Sequence, residues 1–88
     1  MQTINQAVEY LVSQGKPANM ARAAMLEYCA YEAEGMLHDS ANYDAGPCEL
    51  SEAQVMLCYN TFEATAVITP NGIQSDNYLA FDLEGNYL

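Results

Sequence analysis

Residues 65–83, TAVITPNGIQSDNYLAFDL, decide the fold class. The first five are rich in β-branched types, Pro70-Asn71-Gly72 is a turn signal, and Leu79, Phe81 and Leu83 then alternate with Ala80 and Asp82. Alternation of this kind suits a half-buried strand, because successive side chains point to opposite faces of a pleated ribbon. The segment therefore predicts a strand over 65–69, a turn, and a second strand over 78–83, together a C-terminal β-hairpin. Gly85-Asn86 offers one more turn, which would bring Tyr87 and Leu88 back over an edge.

Upstream of this hairpin the apolar period changes from two to about 3.6. Thr3 with Gln6 matches a capping box, and Ile4, Ala7, Val8, Leu11 and Val12 follow at helical spacing, with Gly15 suited to the C-terminal cap and Pro17 blocking continuation. A second helix is expected to start near residues 17–19 and to run to about Met36. On its wheel Met25, Leu26, Cys29, Ala33, Met36 and Leu37 gather on one side and Glu27, Tyr31 and Glu34 on the other, which predicts separate buried and presenting faces. Alanines at 21, 23, 24, 30 and 33 allow close approach of the first helix, folded back as an antiparallel hairpin. Residues 38–47 read as a loop, and Ser51 with Gln54 forms a second capping box that opens a third helix over 52–62. The expected architecture is α+β: three short helices followed by the hairpin.

At 88 residues the chain fits one compact domain spanning 1–88. Its core is expected to be thin, with 13 alanines and 5 methionines against 2 phenylalanines and no tryptophan. Such a small core makes homodimerisation a natural way to gain stability. The three cysteines, Cys29, Cys48 and Cys58, are odd in number and widely spaced, unlike a secreted disulfide framework. No stretch approaches the ~20 apolar residues of a membrane span, and residues 1–12 lack the pattern of a signal peptide. A cytoplasmic setting is the expectation.

Charge gives the strongest hint of function. The net charge is -10, and no lysine or arginine follows Arg22, so the last 66 residues hold 11 carboxylates and one histidine, His38. Soluble domains ordinarily mix both signs to limit self-repulsion. A surface this one-sided suits a basic partner. Spread evenly over roughly 5,000 Å² of surface, the charge amounts to about one per 500 Å². Duplex DNA is several-fold denser, at one charge per about 1.7 Å of axis, so mimicry of nucleic acid requires clustering on one face. Direct nucleic-acid binding is disfavoured, since Lys16 and Arg22 are too few to displace the counterions of a polyanion.

Four of seven tyrosines adjoin a carboxylate, in Glu9-Tyr10, Glu27-Tyr28, Tyr31-Glu32 and Tyr43-Asp44. An arginine guanidinium can stack on the ring and pair with the acid, so these are plausible grips for a basic surface. The expected contact set is Glu27, Tyr31, Glu34, Asp39, Tyr43 and Asp44, the first three on one helical stripe and the others in the loop. The plain alternative is a solvated acidic face with tyrosines completing the core. Cys29, His38, Cys48 and Cys58 have the residue types of a zinc site, but separations of nine or ten are far from the close pairs such sites use. A reactive thiolate would want positive neighbours, which this chain lacks, and no hydrolase or phosphate-loop motif occurs. Asp82 and Glu84 fit a cation loop poorly. No cofactor, metal or catalytic residue is expected.

Two readings follow from the residues. The first is a non-enzymatic inhibitor or adaptor that covers a basic, nucleic-acid-binding surface of another protein by charge complementarity. In size and charge, and in no motif, the chain is similar to small acidic inhibitors that phages and mobile elements direct against CRISPR or restriction complexes. The alternative is a structural interaction module, or an antitoxin-like subunit, that binds through its methionine- and alanine-rich helix. A salt-adapted domain with merely solvating acidity is a third, weaker possibility.

Overall fold

The computed structural model describes residues 4–31, 51–75 and 78–88, with backbone only at 28–31. The first helix, α1, spans Ile4–Ser13 and buries Ile4, Ala7 and Leu11. Val12, the last member of the expected stripe, sits at its margin and is 46% exposed. Thr3 of the expected capping box lies outside the described residues. The far end closes as expected around Gly15, whose φ is 89°. Gly15 N–H donates to the Val12 carbonyl and Lys16 N–H to the Leu11 carbonyl, both at 3.0 Å. That pair of bonds is the Schellman arrangement, and it satisfies carbonyls that the helix end would otherwise leave bare.

Helix α2 spans Ala18–Tyr31, and the Pro17 carbonyl accepts the N–H of Ala21 at its entrance. The expected continuation to Met36 lies beyond the described residues. Met20, Ala21, Ala23, Ala24, Met25 and Leu26 are all buried and Arg22 is half-buried. Met25 and Leu26, expected on the buried side, are buried, while Glu27, expected on the presenting side, is half-buried. The helix is enclosed: α1 packs on it, α3 (Glu52–Thr65) packs on both, and the C-terminal tail lies along its remaining side. Small alanine side chains make such all-round contact possible without pushing the neighbours apart.

Helix α3 opens with the expected capping box. The Gln54 N–H donates to Ser51 Oγ at 3.2 Å and the Ser51 N–H to Gln54 Oε1 at 2.8 Å. The helix runs three residues past the expected end at Phe62, to Thr65, because Glu63 and Ala64 are good helix formers and nothing there interrupts the ladder. Thr65 therefore belongs to the helix and not to the first strand. Val55, Tyr59 and Phe62 are its buried positions.

The expected hairpin is a three-strand antiparallel sheet in the order β1-β2-β3, with β1 at Val67–Thr69, β2 at Gly72–Ser75 and β3 at Tyr78–Phe81. Thr69 pairs with Gly72, so Pro70-Asn71 is a two-residue connection. Strand β2 was not expected: of its four residues only Ile73 has strong β character, and its pairing on both sides holds it extended.

A one-residue register shift lies between Ile73 and Gln74, with Gln74 opposite Leu79 but Ile73 opposite Phe81. Ala80 is thus an extra residue on β3, a bulge. Without it Ala80 would face Ile73 and Phe81 would turn to the other side of the sheet. The bulge delivers Phe81 to the core and explains why Leu79 and Phe81 do not share a face as simple alternation implied. Phe81 is completely buried, edge-on to Phe62 at 5.9 Å and stacked on Tyr87 at 5.1 Å.

The last residues turn back as expected. Asp82 N–H donates to the Asn86 carbonyl, a bridge joins Phe81 to Tyr87, and Leu88 N–H donates to the Ala80 carbonyl.

Candidate functional site

Of the six residues expected to grip a partner, the structure fixes one side chain. Glu27 is half-buried near the end of α2, where its Oε2 accepts a hydrogen bond from the buried Ser75 Oγ at 3.0 Å. It ties α2 to β2 and does not stand free in solvent. Tyr31 is placed by its backbone as the last residue of α2. Glu34, Asp39, Tyr43 and Asp44 lie outside the described residues, as do Glu32 and Glu49.

The described carboxylates divide by use. Glu9, Glu52, Glu63 and Glu84 are exposed, while Asp82 is half-buried and its Oδ1 accepts the backbone N–H groups of Glu84 and Asn86. Asp82 thereby holds the closing turn, the local role that short acidic side chains often take. Glu52 sits in the first turn of α3, where the helix dipole favours a negative charge.

Both cationic side chains are engaged within the fold. Arg22 donates through Nε to Asn86 Oδ1 at 2.6 Å and through Nη1 to Asn5 Oδ1 at 3.3 Å. Lys16 Nζ lies 5.2 Å from the centre of the Tyr59 ring. Tyr59 is fully buried, and its hydroxyl donates to Glu63 Oε2 at 2.8 Å. Burial chiefly, aided by the hydrogen bond and the negative charge of Glu63, pushes the Tyr59 phenol up to about 12. This tyrosine serves the core, the plain role weighed for tyrosines above.

Cys58 is half-buried on α3. Cys29 is described by backbone alone, and His38 and Cys48 lie outside the described residues. Among the described residues no three histidines, cysteines or acids come together as metal ligands, and no helix is long and apolar enough to cross a membrane.

Exposed apolar side chains of the sheet and tail were missed in the sequence. Val67, Ile68, Tyr78, Leu79, Leu83, Tyr87 and Leu88, all from the sheet and tail, are more than a third exposed. The signal was available: residues 64–75 contain no charged side chain, an unusual gap in so acidic a chain. Comparison with protein-family models, with curated proteins and with solved structures returns no match to this chain.

Proposed function

We propose that this chain is a non-enzymatic inhibitor or adaptor that docks an acidic, tyrosine-bearing surface onto the basic, nucleic-acid-binding surface of a partner protein and occludes it. The observation that carries this reading is the absence of any lysine or arginine after Arg22 across 11 carboxylates. The engagement of Lys16 and Arg22 near the start of α2 supports it, since the two cations are held in one region. Long-range attraction speeds encounter, and a few guanidinium contacts to carboxylate and tyrosine fix the orientation. A nucleic-acid mimic of the kind phages and mobile elements deploy against CRISPR or restriction complexes is the fuller form of this proposal, resting on size and charge.

The alternative, docking through the methionine- and alanine-rich helix, meets an obstacle. Residues 20, 21 and 23–26 of that helix are already spent on the internal core.

The test is reversal of charge at Glu34 and Asp44 together, both to lysine. Affinity for a basic nucleic-acid-binding partner is expected to fall at least tenfold while the thermal midpoint is unchanged. Equal affinity rejects these residues as the docking surface. Glu27→Lys is a poorer probe, because it breaks the Ser75 contact and would disturb the fold as well as the surface.

A further inference from the structure

The outer edge of β1 is built to pair with one kind of strand. Among the described residues β1 has a partner on one side only, β2. In a two-residue hairpin the closing pair exchanges both backbone bonds, so Thr69 and, two residues back, Val67 direct their N–H and C=O groups toward β2. Ile68 directs both of its groups outward. The neighbouring outward positions are blunted: Pro70 has no N–H, and the N–H of Ala66 is used by the Phe62 carbonyl as α3 ends. A long partner strand would find two missing donors on this edge. A two-fold axis through Ile68 meets no such mismatch, because one residue's donor and acceptor pair with the same residue of a second copy, and the blunted positions fall at the ends.

Side chains and charge favour the same arrangement. Ile68 pairs across β1 and β2 with Ile73, and Ile73 with Phe81, forming one row on the core face. Ile73 and Phe81 are 0% exposed, whereas Ile68 is 55% exposed, so the row is interrupted at the edge of the molecule. A second copy would continue it as Phe81-Ile73-Ile68 followed by the same residues in reverse. A basic partner would be drawn to carboxylates, and none occurs from residue 64 to residue 75. This is where two chains of charge -10 can meet without opposing acids on the contacting strands.

We propose that the chain self-associates as a two-fold dimer through antiparallel pairing of β1, centred on Ile68, to form a continuous six-stranded sheet. The contact is small beside the ~800 Å² per partner of a standard stable interface, so the dimer is weak and concentration-dependent. Salt strengthens it. The molecule measures 33 × 27 × 18 Å, so two centres lie about one molecular width apart, within the ~30 Å screening length at 0.01 M salt and well beyond the ~8 Å at 0.15 M. Partner docking by charge has the opposite salt dependence, so the two proposals stand or fall separately.

Sedimentation velocity of the full chain from about 10 μM to about 1 mM, at low and at physiological salt, tests this. The dimer fraction is expected to rise with both variables. Ile68→Lys and Ile68→Pro should remain monomeric throughout with unchanged circular dichroism; the proline removes an outward N–H and leaves the ladder to β2 intact. Leu57→Lys, on the exposed side of α3, should dimerise as the parent does. A parent that stays monomeric, a dimer that dissolves as salt rises, or Ile68 variants that pair as well as the parent would overturn the proposal.

Discussion

Gly15 and Gly85 share a positive φ, 89° and 87°, yet their surroundings make opposite demands. A methyl group added at Gly15 meets nothing within 4 Å, so Gly15→Ala carries only the backbone penalty of a left-handed residue, about 1 to 2 kcal/mol. At Gly85 the same methyl lies 2.1 Å from the Asn19 carbonyl oxygen and 3.2 Å from the Ala23 nitrogen, both backbone atoms of α2. The tail must lift, loosening the Tyr87 hydroxyl bond to the Leu26 carbonyl and uncovering Phe81. Gly85→Ala should therefore cost well beyond the Gly15 change, about 3 kcal/mol or more by urea unfolding, and equal midpoints would contradict the tail's close seating. Tyr59 makes a second prediction. Its folded pKa of about 12 exceeds the ordinary 10, so the native state retains a proton that the unfolded chain releases. Its stabilising contribution is complete below pH 10 and is lost as pH rises from 10 through 12. An ultraviolet phenolate titration should show a late component that loses one tyrosine's absorbance in Tyr59→Phe; a late component of unchanged size in that variant would assign it elsewhere.

Elements set by local chemistry were the ones legible in the sequence. The Ser51–Gln54 capping box and the glycine cap at Gly15 depend on residues a few positions apart, and both appear as expected. Strand β2 and the bulge at Ala80 were not legible, because their cause is long-range. Gln74 and Ser75 have no marked preference for strand, and only the match of Phe81 to the core position beside Phe62 selects the shifted register. Deleting Ala80 tests that explanation. The strand then presents Phe81 to the wrong face or drags the tail out of place, and the loss should at least equal the ~3–5 kcal/mol expected of Phe81→Ala. A deletion variant as stable as the parent would show the bulge to be incidental. On α2, Met25 and Leu26 are buried as the wheel placed them, while Glu27, on the side it left outside, is half-buried because β2 reaches it through Ser75.

At the scale of the whole molecule, composition is the ground for the proposed class of partner, while the placement of charge depends on tertiary structure. Half of the 12 carboxylates, Glu32, Glu34, Asp39, Asp44, Glu49 and Asp76, lie outside the described residues. Those described show why charge in the sequence is an incomplete guide to charge on the surface: Glu27 accepts a hydrogen bond from Ser75, and Asp82 is spent on the closing turn. Among the described residues there remain exposed acids at Glu9, Glu52, Glu63 and Glu84 and a β1 edge without charged side chains. The decisive measurement is the salt dependence of binding to a partner captured at low ionic strength on the immobilised chain. The account predicts a basic nucleic-acid-binding protein whose affinity falls steeply as salt rises through the physiological range. A captured protein held equally well in high salt would contradict it.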